Sequence, residues 1–296
     1  MKKCTKYLII VNETKDVDLK WSGFTYDALK AKGFEVNMYV GLESEGVEGY
    51  LKDTDVIIVM GGDGTILRVA HILAGRQIPV IGVNLGTVGF LTEVGVTQIS
   101  SMLERLSNGD YELEERMMLS GRVHLNGTSS EGTSSDGTTP EGGRCIDIQA
   151  LNEIVLARDN ALRIIALRIL VNGSHFDTCE ADGIMIATPT GSTGYNLSAG
   201  GPIVQPDARL MVMTPISPYS LSRRSVIFGA DDHITLELLQ KRKDAPSKGL
   251  LSHDGEESIS MEVGDTVEIE PSKDKLLLVK LDESSLYEIL TRKLGN

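Results

Sequence analysis

Cysteine is scarce in this 296-residue sequence: only Cys4, Cys145 and Cys179 occur, far apart and without a CxxC spacing. Such a set supports neither a disulfide framework nor a zinc site, so we expect no bound structural metal. Long apolar runs are also missing, and none approaches the roughly 18 residues that a membrane-spanning helix needs. The apolar stretch near the N-terminus covers only Tyr7–Val11, too short for the core of a signal peptide. We therefore expect a cytoplasmic protein with no membrane partner.

Basic residues are outnumbered: 29 Lys and Arg stand against 42 Asp and Glu, which gives a net charge of −13. A protein that binds nucleic acid needs clustered Lys and Arg to displace counterions from the phosphates. The sequence has no basic run longer than a few residues, so we expect no nucleic-acid partner. A local basic pocket for a small phosphorylated ligand stays open, because the charge of a whole chain does not describe one cleft.

The composition is otherwise that of an ordinary soluble protein, with 41% hydrophobic and 24% charged residues. These values exclude global disorder, a collagen-like repeat and a coiled coil. Because domains average about 150 residues, the length favours two of them.

The first hundred residues alternate between apolar runs and helical patterns, which predicts a Rossmann-like α/β domain with a parallel sheet over residues 1–110. Val17, Trp21, Phe24 and Ala28 recur at helical spacing and predict a first helix that ends at Gly33. Two more helices are predicted at 65–74 and 98–106. The predicted strands are Lys6–Val11, Phe34–Val40, Asp55–Met60 and Ile78–Val83.

From about Tyr111 short β-rich runs follow one another with hardly any helical pattern, which predicts an all-β, sandwich-like domain over residues 111–272. Residues 126–144 are nearly free of apolar side chains, and we expect a mobile loop there. A strand at Leu276–Leu281 and a helix at Ser284–Leu294 are predicted to return to the first domain, within residues 273–296. The other predicted strands are Arg163–Val171, Gly183–Ala187, Val226–Phe228, His233–Leu239, Ser258–Val263 and Thr266–Glu270.

The strongest local signal is Gly61-Gly62-Asp63-Gly64-Thr65, which directly follows a predicted buried strand and precedes a helix. In open α/β sheets ligands bind beyond the carboxyl ends of the strands. Glycines there let the backbone approach phosphate oxygens, and a helix N-terminus offers unpaired N–H groups. A carboxylate beside an anion site is unfavourable unless it accepts a proton from an attacking hydroxyl or holds Mg²⁺. The alternative is a tight turn in which Asp63 only caps the helix.

Two further elements lie in the β-rich half. The segment Thr188–Pro202 is rich in Gly, Ser and Thr and includes Tyr195, which suits a backbone wrapped around a polar ligand and a ring that stacks on a base. Asn152 and Glu153 interrupt an apolar strand, where buried polar side chains need partners such as a ribose or a base edge. A plain polar loop and an internal hydrogen-bonded pair are the respective alternatives.

Together these elements resemble the ATP-dependent NAD kinase family, bacterial type. The resemblance extends to Asn84–Glu93 and Thr214–Pro218 and thus covers most of the chain. It implies an N-terminal α/β domain, a β-sandwich-like C-terminal domain and a NAD site in the cleft between them. The implied reaction transfers the γ-phosphate of ATP to the 2′-hydroxyl of the adenosine ribose of NAD, giving NADP.

The resemblance also implies roles for single residues. Asp63 would be the base that activates the ribose hydroxyl, and the donor phosphates would bind Gly61, Gly62, Gly64 and Thr65. Glu256 stands where a glutamine often follows the glycine in this family, so we leave it out of the expected site. The expected NAD-binding residues are Asp63, Gly64, Arg68, Asn152, Glu153, Arg163, Asp182, Thr193, Gly194, Tyr195, Asn196, Leu197 and Ser198.

The expected ligands are NAD and ATP with a divalent cation, Mg²⁺, held mainly by phosphates and water rather than by a protein cage. The resemblance further implies a homodimer or homotetramer. Two rival functions are a lipid kinase that shares the GGDGT motif and a non-catalytic NAD(P) sensor. The acidic balance disfavours the lipid kinase, and the presence of Asp63 disfavours the sensor.

Overall fold

The computed structural model describes residues 4–86, 89–126, 143–160, 163–220, 222–241, 247–282 and 290–291. The chain divides into two compact units, residues 1–116 with 274–296 and residues 117–273. The boundaries predicted from the sequence lie after residues 110 and 272. The predicted mobile loop at 126–144 falls outside the described residues except at its ends, and so does the predicted helix Ser284–Leu294 except at 290–291.

The first unit is an α/β domain with a parallel sheet. Its strands are β1 (Lys6–Val11), β2 (Glu35–Val40), β3 (Val56–Gly61), β4 (Val80–Asn84) and the short β5 (Val94–Gly95). They pair in the order β2-β1-β3-β4-β5. Nearly every residue of β1, β3 and β4 is buried, as expected for strands covered on both faces. The helices are α1 (Lys20–Ala31), α2 (Ser44–Leu51), α3 (Asp63–Leu73) and α4 (Ile99–Asn108).

Helix α1 forms where the apolar spacing predicts it, but that spacing does not mark its buried face. Val17 lies before the helix and is 77% exposed, and Phe24 is 48% exposed. The Asp16 carboxylate accepts hydrogen bonds from the N–H groups of Trp21 and Ser22, at 3.3 and 2.8 Å, and so fixes where the first turn begins. The buried residues of the helix are Ser22, Thr25 and Leu29.

The second unit is built from antiparallel strands. Its strands are β6 (Glu112–Leu125, which begins in the first unit), β7 (Arg144–Ala150), β8 (Glu153–Arg158), β9 (Ile165–Val171), β10 (Ser174–Ala181), β11 (Gly183–Ala187), β12 (Leu210–Ile216), β13 (Val226–Gly229), β14 (Ile234–Leu239), β15 (Lys248–His253) and β16 (Ile259–Glu262). The last strand, β17, is Thr266–Lys280. A 3₁₀ turn (Gly191–Thr193) and the short helix α5 (Tyr195–Ser198) interrupt this pattern.

Two layers of strands enclose the core of this unit. One sheet has the order β13-β12-β11-β8-β15-β16, while β10, β9, β14 and the first residues of β17 form the other layer. Residues of both layers contribute to one apolar cluster, for example Ile154 and Ile186 from the first and Leu167 and Leu236 from the second. The sandwich-like prediction is confirmed.

Strand β17 differs from its prediction, because two separate strands were expected at Thr266–Glu270 and Leu276–Leu281 and one continuous strand is found. Ile269 pairs with Ile234 of β14, and Leu278 pairs with Val80 of β4. Residues 271–275, between the two apolar runs, stay extended and are half-buried except for the exposed Lys273, so their polarity does not mark a break in the strand. Among the described residues, no helix is both long and apolar enough to cross a membrane.

Candidate active site

The GGDGT segment joins the end of β3 to the start of α3. A Cβ at Gly61 would lie 2.6 Å from Cβ of Thr65, so only glycine fits there. The buried Thr65 hydroxyl accepts hydrogen bonds from the Gly62 N–H at 3.3 Å and from Nδ2 of Asn12 at 3.1 Å. A Cβ at Gly62 or Gly64 would have no atom within 4 Å. The backbone at Gly62 and Gly64 is therefore open to a ligand, whereas the Thr65 side chain holds the turn.

Asp63, the first residue of α3, bonds a different segment of the chain. Its Oδ2 accepts the Phe90 N–H at 2.6 Å, and its Oδ1 accepts the N–H groups of Leu91 and Thr92 at 3.0 and 3.3 Å. We call this group the Asp63 clamp. Gly89 is part of its packing, because a Cβ there would lie 2.5 Å from Cγ of Asp63. A helix cap would accept N–H groups of its own helix, whereas these bonds join Asp63 to residues 90–92.

The Asp63 clamp leaves room for one more hydrogen bond. An ionised carboxylate offers about four acceptor positions on its two oxygens. Two N–H groups occupy Oδ1 and one occupies Oδ2, so a position on Oδ2 remains. The carboxylate is thus held in one orientation with one acceptor position still available. Arg68 follows Gly64 by four residues in α3, which places both on the same side of the helix, and its side chain is exposed.

The second group of predicted residues lies in the β-rich unit, around the start of β8. Here the Asp254 carboxylate accepts three successive N–H groups: that of Leu151 on Oδ2 at 2.6 Å, and those of Asn152 and Glu153 on Oδ1 at 2.7 and 3.1 Å. In return the Asp254 N–H donates to the Glu153 carbonyl at 3.1 Å. We call this group the Asp254 clamp. The sequence predicts no role for Asp254, which lies two residues before Glu256.

Glu153 carries the most unusual electrostatics of the site. Its residue is 8% exposed, and its Oε2 has no hydrogen-bond partner among the described residues. Burial raises the pKa of this carboxyl to about 7, and the negative charge of Asp254 contributes to the increase. A buried carboxyl with an unpartnered oxygen is suited to a polar ligand, and near neutral pH it can donate as well as accept a hydrogen bond.

The Thr188–Pro202 segment packs directly onto Asn152 and Glu153. The Thr188 N–H donates to the Asn152 carbonyl at 2.8 Å, and the Thr188 hydroxyl donates to the Leu151 carbonyl at 2.6 Å. A Cβ at Gly191 would lie 2.8 Å from Cα of Asn152, so glycine is required for this close approach. A Cβ at Gly194 would lie 3.3 Å from Nδ2 of Asn152 and 3.5 Å from Oε2 of Glu153. The structure therefore brings these predicted residues together.

Residues 193–198 divide by exposure. Tyr195 is 46% exposed and Ser198 is exposed, so both are open to a ligand, while Thr193, Gly194 and Leu197 are half-buried. Asn196 is different. Its residue is fully buried, its Nδ2 donates to the carbonyls of Ser192 and Pro202 at 3.2 and 3.0 Å, and its Oδ1 accepts the Thr214 hydroxyl at 2.7 Å. The Asn196 side chain therefore supports the shape of the 188–202 segment, and the place of this residue in the NAD site stays a prediction.

Asp182 and Arg163 lie away from Asn152 and Glu153. Gly183, which follows Asp182, pairs with Ala157 at the far end of β8, and Ile165, two residues after Arg163, pairs with Ala181. Oδ2 of Asp182 pairs with Nη2 of Arg158 at 3.1 Å, just before β11. Arg163 is exposed, and its backbone N–H donates to the Asn160 carbonyl at 3.3 Å. In the part of the chain that the structure describes, neither side chain forms a hydrogen bond with Asn152 or Glu153, and no group of three or more His, Cys, Asp and Glu could hold a metal ion.

Comparison with protein families matches both halves of the chain. Residues 30–111 match the model of the ATP-NAD kinase N-terminal domain, and residues 151–281 match that of the ATP-NAD kinase C-terminal domain. The chain is 37% identical over 297 residues to an NAD kinase from Lachnoclostridium phytofermentans, covering 98% of this chain and 99% of the relative. It is 39% identical over 243 residues to an NAD kinase from Geotalea daltonii, covering 82% and 79%.

Two solved structures share the fold. The crystal structure of yeast NADH kinase complexed with NADH matches with a TM-score of 0.81 at 23% identity, covering 100% of this chain and 88% of the other. That of an NAD kinase from Archaeoglobus fulgidus in complex with ATP matches with a TM-score of 0.71 at 24% identity, covering 98% of each chain. At these identities the two likenesses concern the fold alone.

Proposed function

The chain belongs to the NAD kinase family, and on that basis we propose that it transfers the γ-phosphate of ATP to the 2′-hydroxyl of the adenosine ribose of NAD, giving NADP and ADP. The observation that carries the proposal is the orientation of Asp63. Its carboxylate lies at the glycine-rich N-terminus of α3, fixed by three N–H groups and with one acceptor position left. A phosphoryl acceptor needs a base in that setting.

The donor phosphates bind at the N-terminus of α3. The open backbone at Gly62 and Gly64, with the turn made possible by Gly61, presents N–H groups and the positive end of the helix dipole to phosphate oxygens. Thr65 contributes by keeping that turn closed. Mg²⁺ would be held by the phosphates and by water, where it would neutralise the charge of the transferred group.

Asp63 is the general base. The ribose 2′-hydroxyl donates to the remaining acceptor position on Oδ2, and its proton passes to that oxygen as the new bond from the ribose oxygen to γ-phosphorus forms. The bond between γ-phosphorus and the bridging oxygen of ATP breaks, and ADP leaves with the electron pair. Because the clamp already orients the carboxylate, little reorganisation accompanies the step.

The residues around β8 bind the dinucleotide. The unpartnered Oε2 of Glu153 and the amide of Asn152 recognise polar groups of the adenosine, and the exposed ring of Tyr195 stacks on a base. Asn196 holds the 188–202 segment in shape. We include in the NAD site the remaining residues that the resemblance implies: Gly64, Arg68, Arg163, Asp182, Thr193, Gly194, Asn196, Leu197 and Ser198.

The protein is also proposed to act in the cytoplasm as a homodimer or homotetramer. Both statements rest on the resemblance to the family and the soluble composition. Light scattering on the purified full-length chain measures the assembly directly, and a mass equal to the 32.1 kDa monomer would contradict it.

The decisive experiment measures NADP formation from NAD, ATP and Mg²⁺ with an NADP-specific dehydrogenase as reporter. Wild type should turn over, and Asp63→Asn should lose about 10²- to 10⁴-fold in kcat, the usual contribution of a general base, while NAD still binds. Asp27→Asn makes the same chemical change at an exposed position of α1 and should behave as wild type.

Each other outcome has a distinct meaning. Full activity in Asp63→Asn would remove Asp63 from the role of base. Turnover with polyphosphate but not ATP would change only the donor. No turnover with either donor, together with measurable NADP binding, would indicate a sensor, and phosphorylation of lipid vesicles but not of NAD would indicate the lipid kinase.

A further inference from the structure

Asp254 lies outside the residues that the family resemblance assigns, yet it contacts the centre of the proposed NAD site. We propose that Asp254 is a positioning residue: its carboxylate sets the orientation of Asn152 and Glu153 toward the adenosine of NAD. This inference rests on the proposed function, because it assigns Asp254 to the same substrate. It concerns the backbone that carries the two side chains and not a direct contact with the ligand.

The geometry of the Asp254 clamp supports this role. Residues 151 and 152 lie between the end of β7 and the start of β8, where the strand ladder is interrupted. Leu151 is fully buried and Glu153 nearly so, which means that their N–H groups need a partner inside the protein. The Asp254 carboxylate is that partner: it accepts hydrogen bonds from the N–H groups of three successive residues, at 2.6, 2.7 and 3.1 Å. Hydrogen bonds to an ionised acceptor are stronger than neutral ones, so they fix this bend firmly.

The backbone of Asp254 indicates why this residue is an aspartate. Its φ is +48°, in the left-handed region that glycine and asparagine adopt more readily than most residues. Glycine would relieve the strain and asparagine would tolerate it. Only a carboxylate, however, presents two oxygens that both accept, with no N–H of its own to oppose the third donor. The position therefore combines an unfavourable backbone with the one small side chain able to bond all three groups.

The charge of Asp254 also acts on Glu153. In the sheet Glu153 pairs with Ala187 of β11, and Ile154 pairs with His253 of β15. The titratable residues near Glu153 are therefore His253, the last residue of β15, and Asp254, which follows it. Tyr195 follows Gly194, whose Cβ would lie 3.5 Å from Oε2 of Glu153. Nδ1 of His253 lies 2.9 Å from the Gln149 carbonyl. Of these neighbours Asp254 raises the pKa of Glu153, so neutralising Asp254 should lower that pKa and move the pH dependence of NAD binding with it.

The test compares Asp254→Asn with a matched control, Asp265→Asn. Asp265 is also buried and also accepts backbone N–H groups, those of Asn126 and Glu262, both at 2.7 Å, but it has no place in the proposed site. Asp254→Asn should raise KM for NAD by 10- to 100-fold with KM for ATP within twofold of wild type and kcat nearly unchanged. Its KM profile for NAD should shift to lower pH. Asp265→Asn should change none of these values.

Two further measurements keep the outcome unambiguous. Asp254→Glu retains the charge but displaces the carboxylate by one methylene, so it should raise KM for NAD while the pH profile stays that of wild type. Amide hydrogen exchange at 151–153 without any ligand should speed up in Asp254→Asn and not in Asp265→Asn. If wild type fails to phosphorylate NAD but the exchange result holds, the proposed function fails and the clamp stands. Unchanged exchange and an unchanged KM for NAD in Asp254→Asn would overturn the inference.

Discussion

The Asp63 clamp and the Asp254 clamp have the same hydrogen-bond pattern, although they lie in two units with different folds. In each, one carboxylate accepts three successive backbone N–H groups. A glycine also packs closely against each clamp: Gly89 against the Asp63 carboxylate, and Gly191 against the Asn152 backbone. One clamp lies in an α/β unit and the other in a β-sandwich. In both cases a single carboxylate supplies hydrogen-bond acceptors to a backbone bend whose N–H groups are not bonded within a helix or between strands.

The two clamps differ in which partner is functional. In the first, the carboxylate is the proposed base and the 90–92 backbone supports it. In the second, the carboxylate is the support, and the backbone it binds carries the proposed ligand contacts of Asn152 and Glu153. The same change of Asp to Asn should therefore reduce kcat at position 63 and raise KM for NAD at position 254. Variants of the neighbouring glycines extend this contrast.

The largest effect is expected from Gly191→Ala. The new Cβ would lie 2.5 Å from the carbonyl carbon and 2.8 Å from Cα of Asn152, and a backbone collision cannot be relieved by a rotamer change. We expect the free energy of unfolding to fall by about 4 kcal/mol or more, beyond the usual range of overpacking. Urea unfolding measures it. Gly229→Ala, whose nearest neighbour would be 3.5 Å away, is the control, and an equal loss in both variants would refute the prediction.

Gly89→Ala should act on catalysis more than on stability. Its Cβ would meet the Asp63 carboxylate, 2.5 Å from Cγ, and a side-chain end can move away at a cost of about 1 kcal/mol. The base would then be displaced, and a shift of about 1 Å typically reduces turnover by roughly 100-fold. Steady-state kinetics checks this against Gly95→Ala, where the nearest atom would be 3.9 Å away. Wild-type kcat in Gly89→Ala would show that the clamp does not orient the base.

The two clamps also differ in how far the sequence predicts them. Strands such as β1 and β11 coincide with their predictions because their apolar runs are local signals. The GGDGT segment is equally local, which is why Asp63 was identified. Asp254 was missed because its partners lie 101 to 103 residues away, and nothing in a single sequence records that pairing. The sequence likewise gives no sign that the Asn196 side chain bonds Ser192, Pro202 and Thr214, because hydrogen-bond partners of a buried side chain are set by the fold.

The smallest effect, and the one that isolates electrostatics, concerns Glu153. Its pKa is about 7 in the folded protein against 4.5 for the unperturbed group. Between these values the folded chain keeps a proton that the unfolded chain has lost, so stability falls as pH rises from 4.5 to 7 and stays lower above it. Glu153→Gln removes this dependence. Relative to the variant, wild type should lose about 2 kcal/mol across that window, measured by urea unfolding at pH 5 and pH 8.

The two clamp aspartates are expected to affect this pH-dependent loss of stability differently. Asp254→Asn should shrink the pH-dependent loss, because the charge of Asp254 is the second cause of the raised pKa after burial. Asp63→Asn should leave it unchanged, since Asp63 is not among the groups that act on Glu153. If wild type and Glu153→Gln instead have parallel stability curves, Glu153 is ionised at neutral pH. The Glu153 side chain would then be a buried carboxylate that can only accept hydrogen bonds. The adenosine would have to supply the donor in every hydrogen bond with it.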